Sequence, residues 1–361
     1  MVRQTTGARM LEFAGILIDC PSLYGPPQMI HSLSRATCYL QSFCVLARGK
    51  HVLRSHSTGF FIRTRTALLL VTNWHVVSGL DPADPTKSRN DCAPPHYLKL
   101  TVPTPTRHLV ELVMPLYDEK LNPCWFEHPE RHKIDIAVLE IPRPLEENFQ
   151  FVDIQSVEDE GNIPEVVAKD VFILGYPFKK DDFKNQFGDD VPYYLPVWKR
   201  GSIASEPELP LGGRVILIDS LSRAGMSGAP VLIAEDRSGM RARTAEADAV
   251  IRRIAAGDTS ALRELDMSKV EDVRGKQFRL LGVYSGTIGS TKLAEVALGK
   301  CWTVKTLADV LSRAVPGVMP FHGPEPNPYY DEYLNRIAGG DLIMLDAKGD
   351  EISRVPLGGT Q

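Results

Sequence analysis

The chain has 361 residues, of which 43% are hydrophobic and 24% are charged, and its formal net charge is −4. These values are typical of a folded globular protein long enough for two domains with buried cores. The small negative charge argues against general nucleic-acid binding, and no apolar run approaches the ~20 residues that cross a membrane. We therefore expect no nucleic-acid partner and no membrane partner.

Residues 1–35 are predicted to form an N-terminal arm, because Pro21, Pro26 and Pro27 interrupt their pattern. The apolar patch at residues 13–18 is short and has acidic neighbours, so we do not interpret it as a signal peptide. The cysteines have no repeating spacing, which favours free thiols over a disulfide framework. They are Cys20, Cys38, Cys44, Cys92, Cys124 and Cys301. Together these features predict a cytoplasmic protein from a bacterial type of cell.

Residues 36–145 are predicted to form a first β-rich unit. Its strand-like segments are alternating, β-branched or aromatic, and they cover residues 37–47, 59–63, 67–73, 97–102, 109–113 and 134–141. The apolar run at 67–73 leads directly to His75. Residues 146–166, which are acidic and lack periodicity, are predicted to be a linker.

Residues 167–315 are predicted to form a second β-rich unit, with strands at 171–174, 197–204, 214–218, 230–234 and 278–285. Helical periodicity at 241–266 predicts an insertion between two of these strands, and a further helix is predicted at 302–313. The strands do not alternate with helices, so the fold class is all-β, with two six-stranded antiparallel β-barrels. The tail, residues 316–361, is predicted to hold a short helix at 330–337 and a hairpin at 342–355 that turns at Lys348-Gly349.

Three short sequences carry residue types used in acyl transfer. The first, Thr72-Asn73-Trp74-His75, ends an apolar strand in a histidine, and the second places Asp135 at the start of an apolar strand. The third runs Gly225-Met226-Ser227-Gly228-Ala229-Pro230, a turn of small residues that exposes a hydroxyl and backbone N–H groups. Each alone is commonplace, and its meaning depends on the other two.

In the order His75, Asp135, Ser227, these sequences resemble those of the chymotrypsin-like serine proteases. The resemblance is strongest to bacterial trypsin-like peptidases related to Deg proteases and glutamyl endopeptidases, although the tail is too short for a PDZ domain. It covers about residues 36–313 and implies a chymotrypsin-like pair of barrels and a serine endopeptidase. Ser227 would then be the nucleophile, His75 its general base, and Asp135 the acid that orients the histidine. The N–H groups of Gly225 and Ser227 would form the oxyanion hole.

The same resemblance implies where a protein or peptide substrate would bind. Leu221 stands six residues before Ser227, where trypsins carry an acid, and residues 281–286 resemble the strand that pairs with the substrate backbone. Glutamyl endopeptidases have a histidine at the position of Tyr284. We therefore predict a small or aliphatic residue on the acyl side of the scissile bond. The predicted substrate-binding residues are Leu221, Ser222, Tyr284, Ser285 and Gly286.

Met226 departs from the family pattern, because digestive and clotting proteases have an aspartate there that captures a new N-terminus. The chain cannot be activated in that way. We therefore expect control through a regulatory protein partner, or through the insertion or the tail.

The same motifs allow two other interpretations of the function. An α/β-hydrolase is rejected because Ala229 breaks the G-x-S-x-G pattern and the order of the triad is wrong. A catalytically silent protease fold that serves as a binding or regulatory module remains an alternative.

Cys124, His128 and His132 have the spacing of a zinc half-site, but Pro129 interrupts any helix and a fourth ligand is not evident. We expect no metal and no cofactor.

Overall fold

The computed structural model describes residues 12–13, 16–17, 30–46, 49–88, 94–103, 109–143, 152–153, 166–180, 182, 194–220, 223–255, 257–287, 298–319, 341–345 and 351–356. The chain divides into two compact units, Met1–Ile30 and His31–Gln361. The first carries a short antiparallel pair of strands, β1 (Glu12–Phe13) and β2 (Ile16–Leu17).

The second unit begins with the elements of the first predicted barrel. They are α1 (Ser32–Arg35), β3 (Thr37–Val45), β4 (His51–Arg63), β5 (Leu68–Thr72), α2 (Trp74–Ser78), β6 (Tyr97–Pro103), β7 (Leu109–Pro115), β8 (Phe126–Glu127), a 3₁₀ turn (Arg131–Lys133), β9 (Ala137–Glu140) and β10 (Val152–Asp153).

The elements of the second predicted barrel and the tail follow. They are β11 (Asp170–Gly175), β12 (Val197–Ile203), β13 (Val215–Asp219), β14 (Pro230–Ala242), α3 (Ala245–Ala255), two 3₁₀ turns (Thr259–Arg263 and Met267–Lys269), β15 (Val270–Thr287), β16 (Leu298–Thr303), α4 (Val304–Arg313), β17 (Val315–Pro316), β18 (Asp341–Leu345) and β19 (Glu351–Pro356).

The predicted all-β class is confirmed. Strands β11, β12, β13, β16, β15 and β14 follow one another around a closed barrel. In the described part of the chain, the first sheet has 11 strands in the order β17-β8-β9-β5-β4-β3-β6-β7-β18-β19, and β10 pairs in parallel with β4. The first sheet is larger than the six strands predicted, because β8, β10 and the three strands that follow the closed barrel join it.

Two elements extend beyond the predicted strands. The strands β14 and β15 stay paired as far as Ala242 and Val270, so they form a long two-stranded ribbon beyond the barrel. The helical part of the predicted insertion, α3, begins only at Ala245, at the far end of this ribbon. The polar stretch from Asp236 to Arg243 gave no alternating pattern from which a strand could be predicted.

The predicted C-terminal hairpin forms as β18 and β19, and β18 pairs with β7, a strand of the first sheet. Its turn lies outside the described residues, as do the predicted helix at 330–337 and all but residues 152, 153 and 166 of the predicted linker at 146–166. Among the described residues, no helix has the length and apolar character needed to cross a membrane.

A shared apolar core joins the two β-units. Phe60, Ile62 and Val138 of the first sheet belong to one buried cluster with Leu232 and Leu280 of the closed barrel. Helix α4 adds Val304, Leu307 and Val310 to the same cluster, since these residues recur on one helical face. Burial of this apolar area holds the first sheet and the closed barrel in one relative position, which any site built from both of them requires.

Candidate active site

His75 lies on the short helix α2 and not at the end of a strand. Asn73 precedes the helix in an extended conformation, and Gly79 ends it with a φ of 72°, a left-handed conformation that glycine adopts at little cost. The side chain of Asn73 donates a hydrogen bond of 2.7 Å to the backbone carbonyl of Asp135. The start of α2 is thereby tied to the residue that faces His75.

His75 and Asp135 form a buried pair. Nδ1 of His75 lies 2.8 Å from Oδ2 and 3.0 Å from Oδ1 of Asp135, and the backbone N–H of His75 donates to Oδ1 at 2.9 Å. An ionised carboxylate can only accept, so Nδ1 carries the proton and Nε2 keeps a lone pair. This tautomer is the one that a general base in acyl transfer needs.

The charge of Asp135 is held in place by its surroundings. Its exposed fraction is 1%, and burial alone would raise its pKa. The His75 ring and the hydrogen bonds from His75 and Ser285 outweigh burial, so the pKa lies below its ordinary value. Oγ of Ser285 donates to Oδ2 at 2.5 Å. The carboxylate therefore stays ionised although it is buried.

The loop that carries Ser227 contacts residues next to the His75–Asp135 pair. The N–H of Gly228 donates to the carbonyl of Tyr284 at 2.9 Å, and Tyr284 directly precedes the Ser285 that binds Asp135. A β-carbon on Gly228 would stand 2.4 Å from Oγ1 of Thr72, which lies three residues before His75. The loop that carries Ser227 therefore packs against the end of β5, which leads to His75, and against β15, whose Ser285 binds Asp135.

Thr58 of β4 clamps the Ser227 loop from the first sheet. Its N–H donates to the carbonyl of Ser227 at 2.9 Å, and its Oγ1 donates to the carbonyl of Gly225 at 2.7 Å. The same Oγ1 accepts from the N–H of Tyr176 at 3.1 Å. Nothing in the sequence around Thr58 indicated this role, because its partners lie more than 100 residues further along the chain.

Gly225 can only be glycine in this geometry. Its φ is 93°, and a β-carbon there would stand 2.1 Å from the carbonyl oxygen of Tyr176. Within the described residues, neither the N–H of Gly225 nor that of Ser227 donates a hydrogen bond to the chain, and no hydrogen bond joins Oγ of Ser227 to the His75 ring. Nucleophile–base hydrogen bonds are often long in unliganded sites and shorten when substrate binds.

Met226 lies inside the closed barrel, with an exposed fraction of 1%. It belongs to the apolar cluster that includes Val171, Ile216 and Val231, and its sulfur would meet a β-carbon on Gly175 at 2.9 Å. Apolar packing fixes this position of the loop, where the digestive enzymes of the resembled family use a charged aspartate.

The predicted substrate-binding residues have different surroundings. The ring of Tyr284 is buried in the core of the closed barrel against Gly299, and the hydroxyl of Ser285 is bound to Asp135. The side chains of both residues are therefore engaged within the protein. Gly286 follows with a φ of 79°. Leu221 and Ser222 lie outside the described residues.

The residues considered as a zinc half-site do not converge. Nδ1 of His128 accepts from the N–H of Glu130 at 3.0 Å, and its Nε2 lies 2.8 Å from Oδ2 of Asp309. Both ring nitrogens are occupied, so His128 has no lone pair for a metal ion. His132 packs near Trp74, with 6.0 Å between ring centroids. In the part of the chain that the structure describes, no three side chains of metal-binding type come together.

A closed barrel, a second sheet packed against it, and a paired histidine and aspartate beside a Gly-x-Ser-Gly loop define the class of trypsin-like serine peptidases. A family model described as the trypsin-like peptidase domain matches residues 57–238, and the chain belongs to this family. The matched segment includes His75, Asp135 and Ser227. No curated protein matches the chain.

Proposed function

We propose that the protein is a serine endopeptidase that cleaves peptide bonds through Ser227, His75 and Asp135. The observation that carries this proposal is the buried His75–Asp135 pair. Nδ1 of His75 is bound to the carboxylate, and the Ser227 loop packs nearby against Thr72 and Tyr284. His75 accepts the proton of the Ser227 hydroxyl as Oγ attacks the substrate carbonyl, and it returns that proton to the leaving amine. Water then hydrolyses the acyl-enzyme by the same route.

The oxyanion that forms in this reaction requires hydrogen-bond donors. The N–H groups of Gly225 and Ser227 have no partner in the described chain, which supports their assignment as the oxyanion hole. A donor of this kind contributes about 3 to 4 kcal/mol to the stabilisation of the transition state in comparable sites.

We also propose that the enzyme works in the cytoplasm of a bacterial cell and is controlled by a protein partner bound by the insertion or the tail. Three of the described cysteines, Cys38, Cys44 and Cys124, are free thiols, which supports a reducing compartment. Met226 is packed in the barrel, so a new N-terminus finds no carboxylate to bind at this position. Leu262 and Met267 on the insertion are 53% and 64% exposed, which supports the insertion as a surface for a partner.

Labelling with a fluorophosphonate tests the proposed activity. We expect the native chain to be labelled at Ser227, and Ser227→Ala to remain unlabelled. Asp135→Asn should label at least about 1,000-fold more slowly, because the amide favours the wrong tautomer of His75. The absence of the hydrogen bond between Ser227 and His75 favours one alternative, a catalytically silent module that only binds partners. Native protein that resists labelling under all conditions would establish that alternative.

A further inference from the structure

Glu127 is a buried carboxylate that takes no part in the proposed reaction, yet it lies beside both supports of the His75–Asp135 pair. The residue is fully buried in β8 and faces Ala137 of β9, which lies two positions after Asp135. Its Oε2 accepts a hydrogen bond of 2.7 Å from the indole N–H of Trp74, the residue directly before His75. One side chain therefore bridges the strand that follows the aspartate and the helix that carries the histidine.

The hydrogen bonds that Glu127 accepts fix both of its oxygens. Oε2 also accepts from the indole N–H of Trp125 at 3.1 Å. Oε1 accepts from Nη1 of Arg131 at 2.9 Å and from the N–H of Val318 at 3.3 Å. A well-packed apolar side chain often stabilises a core as well as a buried ion pair does. What the apolar side chain lacks is direction, because a hydrogen bond fixes the orientation of the indole that donates it.

The position of α2 depends on contacts of this kind. The helix has five residues, too few to be stable without the rest of the protein. The side chain of Asn73, just before the helix, is bound to the backbone of Asp135. Trp74, the first residue of the helix, is bound to Glu127. These two bonds hold the first turn of α2, in which His75 is the second residue.

The hydrogen bond between His75 and Asp135 leaves α2 little freedom to move. Nδ1 lies 2.8 Å from Oδ2, and such a bond is lost once the two atoms are more than about 3.5 Å apart. A displacement of the helix by about 1 Å is therefore enough to break it. Misplacement of a catalytic group by that distance can lower a rate about 100-fold.

We propose that Glu127 is a positioning residue for the reaction: by binding the indole of Trp74, it keeps α2 where Nδ1 of His75 meets the carboxylate of Asp135. The inference rests on the proposed endopeptidase function and adds to it a residue that touches neither the substrate nor the reacting atoms. Because Val318 donates to the same carboxylate, the segment that follows the closed barrel supports the arrangement.

Two tryptophan variants separate positioning from stability, because both indoles donate to the same oxygen of Glu127. Trp74→Phe and Trp125→Phe each remove one N–H from Oε2 and keep an aromatic ring. Both native rings are 1% exposed. Trp74 belongs to α2, whereas Trp125 directly precedes β8, so only the first change cuts the bond to the helix that carries His75. Trp125→Phe is therefore the matched control.

The first measurement is fluorophosphonate labelling of Ser227 on folded protein, with urea unfolding of each variant. We expect the two variants to have similarly lowered urea midpoints, since each leaves Oε2 with one donor fewer. Trp74→Phe should lower the maximal labelling rate about ten- to 100-fold and leave the half-saturating concentration of the reagent unchanged. Trp125→Phe should label within about twofold of the native rate.

The second measurement, proton NMR of the Nδ1–H group of His75, does not depend on activity. In protein labelled with ¹⁵N-histidine, this resonance is assigned by its absence from His75→Ala. We expect it to shift or broaden in Trp74→Phe, because its bond to Asp135 is loosened, and to keep its native position in Trp125→Phe. If Trp74→Phe does not fold, replacement of Trp74 by benzothienylalanine, in which sulfur takes the place of the indole N–H, preserves the shape of the ring.

The inference requires both changes in the Trp74 variant and neither change in Trp125→Phe. Equal slowing in the two variants, native labelling of the Trp74 variant, or slower labelling with an unmoved resonance would each overturn it and leave Glu127 a structural residue. These results leave the proposed function intact, because the native chain still labels. A native chain that does not label would overturn the endopeptidase function, and the His75 resonance would then decide alone whether Glu127 positions the histidine.

Discussion

At the scale of single residues, Gly225 meets two independent constraints that can be separated by experiment. Its positive φ disfavours any side chain, and the carbonyl of Tyr176 leaves no room for a β-carbon. Gly257 has the same φ of 93°, but nothing lies within 4 Å of the place where its β-carbon would stand. Comparing substitutions at these two glycines therefore separates the effect of close packing from that of backbone conformation.

Gly225→Ala is expected to slow fluorophosphonate labelling of Ser227 by at least about 100-fold, because the clash displaces an assigned oxyanion donor. Gly257→Ala should label at the native rate and lose about 1 to 2 kcal/mol of stability from backbone strain alone. Labelling rates and urea unfolding of both variants check this. Native-like labelling of Gly225→Ala would show that the loop tolerates the shift and that Gly225 is not a required donor.

His96 gives the stability of the protein a dependence on pH. It is buried, its Nδ1 accepts from the N–H of Val45 at 3.2 Å, and burial with the charges of Arg54 and His51 lowers its pKa from 6.5 to about 4. The unfolded chain therefore binds a proton at a higher pH than the folded chain does. The contribution of neutral His96 to the stability of the folded protein is complete above pH 6.5 and is lost as the pH falls toward 4.

Between pH 7.5 and pH 5 this loss is expected to amount to about 2 kcal/mol. In His96→Asn the side-chain oxygen can still accept from the N–H of Val45, but the side chain does not titrate. The stability of this variant should therefore fall less between pH 7.5 and pH 5. Urea unfolding of both proteins at several pH values measures the difference, in which the contributions of other groups cancel. Parallel curves would contradict the prediction.

At the scale of secondary-structure elements, the insertion is separable from the barrel that carries it. Strands β14 and β15 remain in register up to Ala242 and Val270, which face each other at the end of the ribbon. Helix α3 buries Ala247, and the turn that follows it buries Ala261, while Arg253 pairs with Asp258 and Glu264 inside the insertion. These contacts hold the insertion together internally and do not involve the Ser227 loop.

Replacement of residues 243–269 by Asn-Gly should therefore leave a folded protein, because a two-residue turn can join strands whose end residues are directly opposed. We expect labelling of Ser227 to stay within about twofold of the native rate. The same excision with Ala-Ala, which does not favour the required turn, is the matched control and should be less stable. Loss of labelling in a folded Asn-Gly variant would show that the insertion acts on the active site directly.

The residue types of the site and the class of fold could be predicted from sequence, because each depends on local pattern. An apolar run before His75, an aspartate before an apolar strand and a glycine-rich turn at Ser227 are visible one segment at a time. The contacts of Thr58 and His56 with Gly225 could not be predicted, since they join segments 167 or more residues apart. The helix at His75 was also missed, because its five residues are too few to show a period.

At the scale of the whole molecule, the segment that follows the closed barrel returns to the first sheet and contacts it close to α2. The carboxylate of Glu127 is fully buried and accepts from the indoles of Trp74 at 2.7 Å and Trp125 at 3.1 Å. It also accepts from Arg131 at 2.9 Å and from the N–H of Val318 at 3.3 Å. Glu127 thus connects Trp74, the neighbour of His75, to Val318 in the segment that follows the closed barrel.

Glu127→Leu is expected to lose about 3 to 5 kcal/mol of stability, because it leaves buried donors and Arg131 without their acceptor. Glu127→Gln keeps one acceptor oxygen and should lose less. Glu140→Gln, at an exposed position in β9, is the control and should stay within about 0.5 kcal/mol of the native chain. Urea unfolding ranks the three, and equal stability of all of them would show that the buried carboxylate does not hold the segments together.

The return of the chain to the first sheet also affects the order in which the protein can be completed during synthesis. His75 lies on α2 and Asp135 lies two residues before β9, and both leave the ribosome before β17 and β18, which pair with β8 and β7 of that same sheet. N-terminal segments fold first as a chain is made. A nascent chain therefore exposes the backbone edge of β7 until β18 has been made, so the sheet beside the proposed catalytic pair is completed only after the strands of the closed barrel have been synthesised.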